Sequence, residues 1–210
     1  YDLYIGKDPD HSNEYFEGSM DDLRMWNSAL SASEISKIYK KSDPYAPDAI
    51  VDANGNGDYT TIQAAIDNAT AGDYIRVWAG TYNEDIEIDK MLTLIGNGTT
   101  SSIINGTGTS NTDAVKITAD WVNLSGFKIK NGGYNGISTH SDSNTIFNNT
   151  ISDNGGNGVY ISGNSNTISN SNISNNDCHG LFVAGDYNII ESNLITSNGG
   201  PNNECSISEG

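Results

Sequence analysis

A unit of about 22 residues recurs along the second half of this chain. Rows begun at Trp121, Ser143, Ser165 and Tyr187 align, the first three without a gap. Leu124, Ile146, Ile168 and Ile190 share one column, and Ile129, Ile151, Ile173 and Ile195 another. Gly136, Gly158 and Gly180 form a third. It is followed by Ile137, Val159 and Leu181, and two residues later by Thr139, Ile161 and Val183. Self-similarity at such a period implies a stacked solenoid. Within each row, short apolar stretches spaced by two stand among Asn, Gly and Ser, which reads as strands joined by tight turns. No row has room for a helix beside a strand, which excludes leucine-rich, ankyrin and tetratricopeptide repeats. The expected fold is all-β, a parallel solenoid with coils about 4.8 Å apart and isoleucines filling the bore.

Composition agrees. Of 210 residues 35% are hydrophobic, few for a compact globule but enough for a narrow bore. With 27 Asp+Glu against 10 Lys+Arg the net charge is −17, which argues against nucleic acid and anionic membranes as partners. No apolar run of about 18 residues offers a membrane span. Tyr1 opens no basic-then-apolar leader pattern, so the chain reads as a mature piece or a fragment.

Residues 1–42 differ from the rest. Tyr4-Ile5-Gly6, Tyr15–Gly18 and Leu23–Trp26 read as strands, and Ser31–Glu34 is a capping box opening a short helix with Ile35, Ile38 and Tyr39 on one face. The stretch with Gly18, Asp21-Asp22, Trp26-Asn27, Leu30 and Ser33-Glu34-Ile35 resembles the C-terminal end of laminin G-like, concanavalin A-like lectin domains. The resemblance implies the last part of a jelly roll. Residues 43–50 read as a linker with two prolines, Pro44 and Pro47. A lid helix is expected over about 61–68, capped by Thr60 or Thr61, with Ile62, Ala65, Ile66 and Ala69 on its inner face. Tyr74–Val77 reads as a strand, Gly80–Tyr82 as a turn, and Ile86, Ile88, Leu92 and Leu94 as alternating strand positions.

The segment GDYTTIQAAIDNATAGDYIRVWAGTYNEDIEIDKMLTLIGNG, within residues 51–210, resembles the opening of right-handed parallel β-helix proteins of the pectin lyase-like superfamily. That resemblance implies a right-handed coil and a superfamily holding lyases, hydrolases, esterases, epimerases and non-enzymes. It also implies that further coils follow in a longer multidomain parent, the regular ones here filling 121–210.

Candidate sites follow from residue type and column. A polyuronate lyase needs Arg or Lys as base, yet the only arginines are Arg24 and Arg76, outside the regular coils. Polygalacturonase-like enzymes carry clustered aspartates and Gly-His-Gly; the nearest string is Asp177-Cys178-His179-Gly180, with Gly155 one coil below Asp177. Asp177, His179 and Glu191 are the weak catalytic candidates, His179 also reading as a turn residue in the column of Asn135 and Asn157. Tyr160 and Phe182 fall outward in adjacent coils, as a sugar-stacking platform or as plain cross-coil packing. Asp52, Asn54, Asn56 and Asp58 resemble the start of a calcium loop, though Gln63 stands where a bidentate Glu would close it. The column Asp120, Asp142, Asn164 and Asp186 offers a second calcium candidate or a run of turn caps. Asn154, Asn176 and Asn198 suggest an amide ladder. Column counting sets Cys178 and Cys205 too far apart for an easy disulfide. Sequons stand at Asn68, Asn97, Asn105, Asn123, Asn148 and Asn172.

Together these point to an extracellular or cell-surface, carbohydrate-associated β-helix that binds polysaccharide without catalysis. The rivals are a polysaccharide-active enzyme (glycoside hydrolase, lyase or epimerase) and a structural stalk or surface-layer spacer.

Overall fold

The computed structural model describes Ala29 and residues 46–199. The chain divides into two compact units, Tyr1–Ser42 and Asp43–Gly210. The lectin-like strands and the Ser31–Glu34 cap expected in the first unit lie outside the described residues, as does Cys205.

In the second unit about seven turns of chain wind into a parallel β-solenoid. Sheet 1 has seven strands, from Ala49–Val51 to Ile189–Glu191. Sheet 2 has six, from Gly80–Asn83 to Leu194–Thr196, and sheet 3 five, from Ile86–Ile88 to Leu181–Val183. All pairings are parallel, and the register repeats the sequence columns. Ile146 lies between Leu124 and Ile168, Ile151 between Ile129 and Ile173, and Val159 between Ile137 and Leu181. Alternation does the rest: the column residues point into the bore, where those from Leu124 to Ile173 are fully buried. Each such isoleucine contributes roughly 1.5–3 kcal/mol of transfer free energy.

The corners show why the period is so strict. Trp121, Ser143, Ser165 and Tyr187 all have φ between 57° and 63°, and their counterparts further round the coil are close to this, Asp153 at 60° and Asn175 at 55°. One left-handed residue at each sharp corner turns the strand into the next sheet. The residue after it points inward, and there Asn accepts backbone N–H bonds from the coil below. Asn144 Oδ1 accepts from Val122 N, Asn166 Oδ1 from Asn144 N, and Asn188 Oδ1 from Asn166 N, each at 2.8 Å. At another corner Asn154, Asn176 and Asn198 form the expected ladder, with Asn154 Nδ2 donating to Asn176 Oδ1 at 2.8 Å and Asn176 Nδ2 to Asn198 Oδ1 at 2.9 Å. No buried side-chain nitrogen or oxygen is left without a partner among the described residues.

Gly158 fits this packing because there is no space for a side chain. A Cβ there would sit 2.5 Å from Ile173 Cγ2 and 2.6 Å from the carbonyl oxygen of Gly180. Gly136 and Gly180 face similarly close neighbours.

The first coils are built differently. Ile62–Asn68 is a helix that covers the bore with Ile62, Ala65 and Ile66. Thr61 is its N-cap, accepting from Ala64 N. Two more of its first N–H groups, Ile62 and Gln63, donate to Glu84 Oε1 and Oε2 at 2.8 and 3.0 Å. The segment Gly80–Tyr82, expected as a turn, is strand. Gly80–Asn83 pairs in parallel with Ser102–Asn105, because Tyr82 is needed inside the bore. Its hydroxyl donates to the carbonyls of Trp78 and Val51, and burial raises its pKa.

Candidate functional site

The outer face of sheet 3 changes character along the axis. Its outward column runs Glu87, Lys116, Ser138, Tyr160, Phe182. At the start Lys116 and Glu87 form an ion pair of 3.2 Å. Ser138 then donates to Asp113. Beyond it the face becomes aromatic. The rings of Tyr160 and Phe182 are stacked, with centroids 5.3 Å apart and planes within 3°. The strand spacing of about 4.8 Å sets that separation, and the repeat register sets the parallel planes. His140 lies against Tyr160 at 5.7 Å and His179 against Phe182 at 5.8 Å. Alternation places Tyr160 and Phe182; the two histidines join them only because the turns on either side bring them in. The signal for His140 was its outward position two residues after Ser138.

The catalytic candidates are not assembled into one site. Asp177 and His179 lie on the turn before Leu181–Val183, whereas Glu191 ends a strand of sheet 1. The Asp177 carboxylate is exposed and makes no hydrogen bond or ion pair among the described residues. His179 continues the column of Asn135 and Asn157: its backbone N–H donates to Asn157 Oδ1, and its Nδ1 lies 3.0 Å from the same oxygen. Cys178 is disulfide-bonded, against the column count. The second cysteine, Cys205, lies outside the described residues.

The Asp52 loop is organised around its carboxylate. Asp52, only 2% exposed, accepts from the backbone N–H and side-chain amide of both Asn54 and Asn56. The Asn54 backbone bond, then the Asn56 side-chain bond, hold its carboxyl below the ordinary value. Asp58 Oδ2 accepts from Ile50 N at 2.8 Å. A calcium loop needs oxygens converging on one point, and here N–H donors converge on Asp52. Among the described residues no group of three or more His, Cys, Asp or Glu is placed to hold a metal. In the Asp120 column each side chain caps the next coil. Asp120 Oδ1 accepts from Asp142 N, Asp142 Oδ1 from Asn164 N, and Asn164 Oδ1 from Asp186 N.

Comparison with known proteins fits this geometry. Residues 97–208 match the family model described as "Right handed beta helix region". The chain belongs to the right-handed β-helix family. Two further models match parts of this β-helix protein: pectinesterase over residues 48–129, and the concanavalin A-like lectin/glucanases superfamily over residues 1–36. A cell surface glycoprotein of Methanothermus fervidus is 43% identical over 101 residues, 47% of this chain and 16% of that protein. Pectinesterase 1 of Citrus sinensis is 37% identical over 73 residues, 31% of this chain and 12% of the plant protein. The β-helix protein thus spans a small part of the relatives it matches. Among solved structures, a pectin methylesterase of Erwinia chrysanthemi superposes with a TM-score of 0.53 at 19% identity, covering 63% of this chain and 52% of the other. A pectate lyase gives 0.52 at 18%, covering 60% and 40%. These two share the fold. Among the described residues no helix is long and apolar enough to cross a membrane.

Proposed function

We propose that the protein works outside the cell, at or near a cell surface, as a non-catalytic module that holds polysaccharide on the outer face of sheet 3. The observation that carries this reading is the parallel stack of Tyr160 and Phe182, half-buried and flanked by His140 and His179. A flat aromatic pair suits the C–H face of a sugar ring, and imidazole edges offer hydrogen bonds to hydroxyls. The net charge of −17 favours a neutral glycan on this face. Support also comes from the cell surface glycoprotein match and the lectin-like match of residues 1–36.

The test is calorimetric titration with neutral oligosaccharides of the intact chain and of a Tyr160→Ala, Phe182→Ala double variant. Saturable binding that weakens at least ten-fold in the variant is expected, with an unchanged circular dichroism spectrum. Equal binding by the two proteins would remove the platform.

The pectinesterase match favours a second reading, a polysaccharide-active enzyme. Its candidate groups are Asp177 and His179. New products from a polysaccharide panel, seen by mass spectrometry and lost in His179→Ala, would establish it over the binding role.

A further inference from the structure

A groove of about 570 Å³ opens at the first coils, within the range of about 300–1,000 Å³ usual for small-ligand sites. It is built from three segments: the Asp52 loop, the end of the strand Tyr74–Val77, and the turn at Asn97. Arg76 and Trp78 stand two residues apart along an extended stretch, so their side chains share the outer face roughly 6.6 Å apart. Arg76 lies in register between Ile50 and Ile95, whose apolar flanks border its stem. Its guanidinium belongs to neither ion pair of the described residues, which are Lys90–Asp89 and Lys116–Glu87. Nor does it make a side-chain hydrogen bond among them. In a chain of net charge −17 an arginine inside a groove with no ion pair among the described residues is a conspicuous departure.

The surroundings suit it to an anion. Asp52 is the one carboxylate in the lining, and both its oxygens are already spent on Asn54 and Asn56. The amides of those asparagines keep their own oxygens free to accept. Trp78 is 39% exposed. Its backbone is pinned, because its carbonyl accepts from Tyr82 Oη at 3.1 Å and Ser102 Oγ at 3.0 Å. The backbone that carries the indole is therefore fixed before any ligand arrives.

We propose that this groove binds an anionic sugar unit, one pyranose ring carrying a single carboxylate or sulfate. Arg76 pairs with the oxyanion through two parallel N–H donors. Trp78 lies against the apolar ring face. Asn54, Asn56 and Asn97 meet the hydroxyls. The site stands apart from the Tyr160–Phe182 face and does not depend on it.

Titration of the intact chain with glucuronic acid, glucose 6-sulfate and glucose tests the assignment. Saturable binding of at least one anionic sugar is expected, with glucose at least ten-fold weaker; which of the two binds names the oxyanion. Arg76→Gln should weaken that binding at least ten-fold and Trp78→Ala about five-fold, while the Tyr160→Ala, Phe182→Ala double variant leaves it unchanged. Should Arg76→Gln melt early, Arg76→Lys replaces it; this keeps stem and charge but loses the forked geometry, and about a five-fold loss is expected. The proposal is overturned if neither anionic sugar binds, if glucose binds as tightly, or if the arginine variant binds like the original protein.

Discussion

Between Asn144 and Asn198 the coils are joined by connectors that recur in every turn: a left-handed corner, an inward Asn, a glycine with no room for a Cβ. Between Ala49 and Asn105 each connector occurs once. Tyr82 spans two carbonyls, Ser102 ties the carbonyls of Val77 and Trp78, and Glu84 caps the lid helix. The difference teaches where each kind of information sits. Repeated connectors make a rod that is uniform along its axis. Single-use connectors close one end and, in doing so, create a groove in which a cation, an indole and several amides meet.

Substitutions on each side sharpen this contrast. Gly158→Ala should have the largest effect, about 3 kcal/mol of destabilisation by denaturant unfolding, because the obstacle includes the Gly180 backbone. Asn176→Ala should cost about 2 kcal/mol. It strips hydrogen-bond partners from Asn154 and Ile151 inside the bore. A loss below about 0.5 kcal/mol would mean that the ladders decorate the corners rather than hold them. At the capped end Glu84→Ala should cost about 1 kcal/mol, the usual scale of a lost helix cap, and leave the regular coils intact by amide exchange.

The Asp52 loop gives a dependence on pH rather than a fixed loss. Its carboxyl is held below 3.8 in the folded protein, so its stabilising contribution is full above that value and fades as pH falls through the lowered one. The melting difference between the original protein and Asp52→Asn should therefore narrow on acidification. A gap that widens in acid would contradict the sign. Smallest is Trp121→Asn, expected to gain about 0.5 kcal/mol, since a bulky side chain at φ 63° carries a cost that Asn largely escapes.

The rod was legible because its signal is repeated. Leu124, Ile146 and Ile168 announce both a column and its inward direction, and the same alternation turns Tyr160 and Phe182 outward. The corners were less visible, since Ser, Asp, Trp and Tyr hold left-handed positions where glycine is the usual marker. Glu84 was hidden for a different reason. Its partners at Ile62 and Gln63 lie one coil earlier, and nothing in the local sequence says that a loop acid will meet a helix end. The Arg76 groove escaped notice because three non-repeating segments build it, so no period points there. His140 fell between these cases, visible by alternation but joined to the rings only through the turn.

The inward asparagines have a consequence for how such a rod changes length. Asn166 completes the coil beneath it through its Oδ1 and is completed in turn by Asn188 from above. The coils begun at Ser143 and Ser165 thus carry the same socket and the same plug. Removing the stretch 143–164 would bring Ser165 into the place of Ser143 with each joint restored, and duplicating it would add about 4.8 Å of reach. Removing half that length would set asparagines where isoleucines belong. The fold is in effect graduated, and a gene encoding it can shorten or extend the protein only in whole graduations.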